Sequence, residues 1–213
     1  MCDFIILDNK TKHLTFKGHI MKQAKLLTDV EFKRLTAVIN SLRYPTRNHR
    51  IVALSFYAGL RACEIAALRV ADVFDRDGNV NDTVYLSASQ TKGSDSCTVL
   101  VNSKLQKQLA KYARQYPEHV RKPDAKLIFS AKRRGFTAQT IVNLFQRLYA
   151  SAGIQGASSH SGRRQFVTKL ADQGINARLV QTLARHKHLS TTQRYIDVNE
   201  NALRNAVELA DFS

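Results

Sequence analysis

Acidic residues are scarce in this chain: 17 Asp and Glu stand against 33 Lys and Arg in 213 residues, a formal net charge of +16. An excess of that size goes beyond what solubility requires and points to a polyanionic partner. Long apolar runs are missing as well. No stretch approaches the roughly 18 residues of a membrane-spanning helix, and the short apolar patch from Phe4 to Leu7 lacks the layout of a signal peptide. Nucleic acid therefore suits the charge better than a membrane, and a cytoplasmic location is expected. Cysteine is rare: Cys2, Cys63 and Cys97 are scattered, which excludes a disulfide framework and a C-x-x-C zinc site. Three chemical signatures are absent too. There is no Walker-type phosphate loop, no HExxH helix and no dense carboxylate cluster suited to two-metal nuclease chemistry.

What is present can bury a core, since 44% of the residues are hydrophobic. Residues 1–26 show no sustained period and read as an arm. At Thr28-Asp29-Val30-Glu31 a capping-box pattern opens an amphipathic helix with Phe32, Leu35, Val38, Ile39 and Leu42 on one side. A second helix runs from Thr46 to a C-cap at Gly59, and a third passes through Ile65 and Leu68, which puts Arg61 at the junction. Thr83 to Leu86 and Cys97 to Val101 read as two strands of a hairpin with Lys92 near its tip. Helices follow over Ser103 to Tyr116, opened by a cap at Ser103, and over Thr137 to Ala152. Beyond Gly153 they recur at about 161–173, 176–186, 191–197 and 200–210. The fold class is α+β, mainly α: a helical bundle with a small antiparallel sheet.

Four fragments carry chemistry-bearing residues, and each has an ordinary explanation. In "AGLRACE", Arg61 and Glu64 are spaced for a surface ion pair. In "TKGS", Lys92 reads as an exposed hairpin lysine. In "SHSGRR", His160 and Arg163 lie one helical turn apart on a capped surface helix. In "ARHKHLSTTQRY", His186 sits near the negative end of a helix, while Tyr195 follows a polar run in which a core tyrosine is out of place. The combination is much rarer than any part.

Arg, Lys, His-x-x-Arg, and then His with Tyr nine residues later, in that order, resembles the signature of the tyrosine recombinase (phage integrase) family. The resemblance runs from about Leu27 to the C-terminus through "AGLRACEIAALRVADV", "SSHSGRRQF" and "HKHLSTTQRYI". It implies that Tyr195 is a nucleophile that attacks a DNA phosphodiester, leaving a 3′-phosphotyrosyl linkage and a free 5′-hydroxyl. Arg61 and Arg163 would hold the non-bridging oxygens, His160 would assist as base or hydrogen-bond partner, and His186 would donate to the phosphate. Lys92 would protonate the leaving 5′-oxygen, and Glu64 would support the site. The residue types suit these tasks: arginine offers a planar, permanently charged fork, and a phenol with a reference pKa of about 10 needs help to ionise. No metal or other cofactor is required, because the phosphotyrosine conserves the energy of the broken bond. A zinc site at His186-Lys187-His188 is disfavoured by the two-residue spacing of its histidines.

The expected partner is double-stranded DNA, bound by a homotetramer with possible exchange of the C-terminal segment "NENALRNAVELADF" and, in the cell, at the nucleoid. Lys132, Arg133, Arg134 and Arg164 are further candidates for contact with DNA phosphates. The sequence departs from the family in three places. The 26 residues before the catalytic domain, 27–213, leave no room for a separate helical core-binding domain. Gly162 stands where many members have leucine, and Arg185 where "LGH" is common, neither change being expected to touch a chemical role. The competing reading is a regulator without catalysis, in which the two helices around Gly174 form a helix-turn-helix.

Overall fold

A computed structural model describes residues 23–91, 95–130, 134–195 and 207. The capping box at the start is present as read. The Thr28 side chain accepts from the Glu31 amide and Glu31 reaches back to the Thr28 amide, opening α1 (Asp29–Ser41), which buries Leu35 and Ile39. Pro45 sits in the first turn of α2 (Pro45–Ala58), where its missing N–H costs nothing. Gly59 ends α2 in the left-handed region at φ 60°, with the Phe166 ring so close that any Cβ would collide with it. Two short helices follow, α3 (Ala62–Ala67) and α4 (Val70–Val73).

The hairpin pairs β1 (Thr83–Leu86) with β2 (Cys97–Leu100) in antiparallel register from Thr83 opposite Leu100 to Leu86 opposite Cys97. Val84, Leu86 and Val99 point into the core while Tyr85 and Leu100 face outward, the period-2 pattern of a half-buried strand. Residues Ala88–Gln90 form a 3₁₀ turn within the connection. Lys92 lies outside the described residues.

The cap of α5 (Ser103–Gln115) is Asn102 rather than the expected Ser103: the Asn102 side chain accepts from the Leu105 amide, and Ser103 is the first helical residue. A short α6 (Pro117–Val120) follows. Thr137 caps α7 (Ala138–Ser151), whose Ile141, Phe145, Leu148 and Tyr149 are buried. Next come α8 (Ser161–Asp172), α9 (Ala177–Ala184) and α10 (Leu189–Gln193). Of the helix expected at 200–210, only Val207 is among the described residues, and it is helical and exposed.

The apolar face of α2 lies at the centre, packed against α1, α3, α5 and α8, with α7 behind α3. Val167, Val180 and Ala184 form a smaller cluster between α8 and α9, edged by Phe166, Leu170 and Tyr195. The chain is already tied down before α1. The Lys25 amide donates to the Gly156 carbonyl at 3.0 Å, the Leu27 amide to Gln165 Oε1 at 2.9 Å, and Arg164 Nη1 to the Ala24 carbonyl at 2.6 Å. Residues 24 and 25, before the expected boundary at residue 27, are thus bonded to the rest of the described chain. No helix among the described residues is long and apolar enough to cross a membrane.

The closest approach of α8 to α2 occurs at Gly162, where an added Cβ would lie 2.3 Å from Ser55 Oγ and 2.6 Å from the Phe56 ring. The glycine therefore lets the start of α8 sit directly on α2. In Gly162→Ala, the helix propensity of alanine would contribute about 1 kcal/mol, whereas overpacking costs roughly 1–3 kcal/mol. The expected outcome is a net loss of stability in urea unfolding, and a stabilised variant would contradict the close approach.

Candidate active site

The N-terminal end of α3 and the C-terminal end of α9 meet around one buried carboxylate. Glu64 on α3 is fully buried. Its Oε1 accepts from Arg61 Nη1 at 2.5 Å, and its Oε2 accepts from the Arg61 amide at 2.8 Å and from Arg185 Nη2 at 3.4 Å. The expected surface ion pair is thus a buried one. Burial alone would raise the Glu64 carboxyl. The Arg185 charge, the Arg61 amide and the Arg61 charge together outweigh it and hold the group below the usual carboxylate range.

Arg163, one turn into α8, reaches the same place from the other side. Its Nη1 donates to the Gly59 carbonyl at 2.7 Å and its Nη2 to the Ala184 carbonyl. Two of its donors are thus used on the ends of α2 and α9, which fixes the fork between them. Burial, with the Arg61 and Arg185 charges, pushes the guanidinium down to about 9, so it stays protonated at neutral pH. The two helices expected on either side of Gly174 are α8 and α9, and Arg163 on the first reaches the Ala184 carbonyl at the end of the second.

His186 follows the end of α9. Its Nδ1 lies 2.9 Å from the hydroxyl of Thr192, a fully buried residue of α10. The Tyr195 ring stacks on the imidazole with centroids 5.9 Å apart, and the Tyr195 amide donates to the Thr192 carbonyl. Burial and the charges of Arg163, Arg61 and Arg185 push the His186 imidazole down to about 4, leaving it neutral at physiological pH.

Arg61, Arg163, His186 and Tyr195 are therefore brought together from three distant segments. Arg61, Arg185 and His186 form one wall of a cleft of about 410 Å³, and Thr91, Asp95 and Cys97 from the hairpin form the other. His160 is exposed at the N-cap of α8, one turn before Arg163. Of the DNA-contact candidates, Arg134 is exposed beside the Phe129–Gly135 bridge. Arg164 directs one Nη at the Ala24 carbonyl, as described above. Lys132 and Arg133 lie outside the described residues.

Sequence reasoning missed two members of the cluster. Arg185 was set aside as chemically neutral, yet its side chain is only 7% exposed and bonded to Glu64. A signal was there: Arg185 stands at a helix end where the resemblance calls for glycine. Thr192, inside the polar run, carries no signal beyond its spacing from His186.

Removing the charge in Glu64→Gln leaves two guanidiniums against a neutral amide, a change expected to cost about 3–5 kcal/mol by analogy with broken buried pairs; urea unfolding at pH 7 measures it. Acid should act in the same direction. The folded His186 lies below its unfolded value of about 6.5, so the unfolded chain takes up the proton first. Stability then falls as the pH is lowered from about 6.5 towards about 4. Unfolding midpoints across that window should fall less steeply for His186→Gln than for the unaltered chain.

Residues 25–202 match the phage integrase family. The chain is 30% identical over 191 residues to the tyrosine recombinase XerA of Pyrococcus furiosus, a match covering 88% of this chain and 62% of that protein. A crystal structure of XerA recombinase superposes with a TM-score of 0.68 at 27% identity, covering 89% of this chain and 66% of that one. The Tn1549 transposon integrase in complex with a circular intermediate DNA gives a TM-score of 0.70 at 16% identity, over 89% of this chain and 67% of that one. The chain thus spans about three-fifths of the length of its XerA relative. The fold and the matched span agree, and the chain belongs to the phage integrase family of tyrosine recombinases.

Proposed function

We propose that this chain is a site-specific DNA recombinase that cuts and rejoins strands through a covalent link to Tyr195. The phenolic oxygen of Tyr195 attacks the scissile phosphorus and the bond to the 5′-oxygen breaks. This leaves a 3′-phosphotyrosyl strand and a 5′-hydroxyl, which attacks in turn to reseal. The observation that carries this reading is the meeting of Arg61, Arg163, His186 and Tyr195 around Glu64. With Arg185, three guanidiniums face one carboxylate, an excess of two positive charges. That excess matches the two negative charges that gather on the non-bridging oxygens in the transition state. The neutral His186 offers an N–H to the phosphate without adding a fourth charge. His160 would take the tyrosyl proton, and Lys92 would return a proton to the leaving oxygen.

The partner in this reading is double-stranded DNA, gripped through phosphates by the basic surface, including Lys132, Arg133, Arg134 and Arg164. The assembly is a tetramer on two duplexes, with the segment after Tyr195 passing to a neighbouring subunit, and it works at the nucleoid. Support comes from the relatives: one is named as a tyrosine recombinase, and one of the matched structures is a complex with DNA.

The test is supercoiled plasmid in EDTA without ATP, scored for relaxation and for an SDS-resistant protein–DNA adduct. The unaltered chain is expected to trap DNA, and Tyr195→Phe to bind it without trapping. Equal adduct from both would remove Tyr195 from the role of nucleophile. Arg61→Ala or Arg163→Ala is expected to slow adduct formation by roughly a hundred- to a thousand-fold, the range for losing a donor to a developing oxyanion. A loss under tenfold would reject that role for the arginine concerned.

A further inference from the structure

Arg185 is the one non-glycine residue with positive φ among the described residues, at φ 54° and ψ 47° as the C-cap of α9. Glycine would adopt this conformation freely, whereas an L side chain there costs on the order of 1 kcal/mol. The backbone alone therefore gives no reason for arginine. The side chain does. Its Nη2 donates to the Gly59 carbonyl at 2.9 Å and to Glu64 Oε2 at 3.4 Å, and its Nη1 lies 3.3 Å from the Ala58 and Leu183 carbonyls. One fork thus joins the C-terminal end of α2, the carboxylate that holds Arg61 and the end of α9 that precedes His186. The Gly59 carbonyl it meets also accepts from Arg163.

We propose that Arg185 is a positioning residue of the active site: its guanidinium, set by a left-handed cap, ties Glu64 and the Gly59 carbonyl together and so presets Arg61 and Arg163 for the phosphate. A lysine could supply the charge but could not span a carboxylate and three backbone carbonyls with one planar group. Arg185 also closes one wall of the cleft, so its removal opens the site beside Glu64. The groups around its guanidinium are Glu64, Arg61, Arg163 and Cys97, with His186 and Lys187 on the same cleft and Asp95 on the hairpin side of it. Glu64 is the carboxylate bonded to the fork. The fork therefore orders these groups through Glu64 and the backbone carbonyls it meets.

This inference rests on the recombinase reading, and one of its tests does not. In Arg185→Gly the cap strain disappears together with the fork. The expected result is plasmid binding within about threefold of the unaltered chain but adduct formation slower by about tenfold or more, because preset donors act on the reacting phosphate and not on the bound duplex. Independently of catalysis, NMR titration of the DNA-free protein should show the His186 imidazole titrating at higher pH in Arg185→Gly, since a facing cation is gone. Arg185→Lys retains the charge without the fork: adduct formation should stay slow while the His186 titration stays near that of the unaltered chain.

Adduct formation within twofold of the unaltered chain in Arg185→Lys overturns the proposal, and so does an unmoved His186 titration in Arg185→Gly. If the glycine variant does not fold, the lysine variant decides by the same two readouts. If the unaltered chain forms no adduct, the recombinase reading fails. The inference is then judged by the His186 titration and by coupling between Arg185→Lys and Glu64→Gln in urea unfolding. Losses that are fully additive overturn it, and non-additive losses support the tie.

Discussion

A single carboxylate without access to solvent organises this end of the molecule. Glu64 faces Arg61 at 2.5 Å and Arg185 at 3.4 Å. Desolvation costs several kcal/mol for each buried ion. A pair of opposite charges about 4 Å apart recovers on the order of 4 kcal/mol at an effective dielectric near 20. One ion pair would about break even. Two cations and a backbone amide on the same carboxylate tip the balance, which is why the group remains ionised despite complete burial. Its position in turn dictates where the ends of α2, α3 and α9 can lie, because each sends a donor or a carbonyl into the same cluster.

Most of the scaffold was legible because its signals are local. The Thr28–Glu31 box, the cap glycine Gly59 and the alternation through Val84 and Leu86 each specify geometry within a few residues, and each appears where the pattern put it. Where two candidates competed locally, the reading slipped: Asn102 and Ser103 are both good caps, and tertiary placement chose Asn102. The short helices α4 and α6 carry too few residues for a period to emerge, whereas α3 appears where Ile65 put it and ends at Ala67. The candidate site residues were read in another way, through residue types and their order, and the fold brings Arg61, Arg163, His186 and Tyr195 into one cluster. What could not be read was the burial of Glu64, since an Arg-x-x-Glu spacing is the same on a surface as in a core. The role of the Arg185 side chain was equally hidden, because the residues it joins are more than a hundred positions away in sequence.

The polar run before Tyr195 has a physical explanation. A tyrosine buried among apolar neighbours would be held by packing alone. Here Thr192 spends its hydroxyl on His186 and its carbonyl on the Tyr195 amide, so one residue sets both the imidazole and the turn that carries the phenol. An apolar residue at position 192 would keep that carbonyl but leave the imidazole nitrogen without its partner. The Thr192 hydroxyl thus sets the imidazole on which the Tyr195 ring stacks, while Val167, Val180 and Ala184 supply the apolar floor.

Near the other end of the chain, Ala24, Lys25 and Leu27 are bonded to Arg164, Gly156 and Gln165. Two of these anchors, Arg164 and Gln165, follow Arg163 directly along α8. Any force on the polypeptide leading into α1 is consequently delivered to α8 within one or two residues of Arg163, with no slack segment between them to absorb it. The segment leading into α1 and the N-terminal end of α8 form one mechanical joint, and neither can be displaced without straining the other.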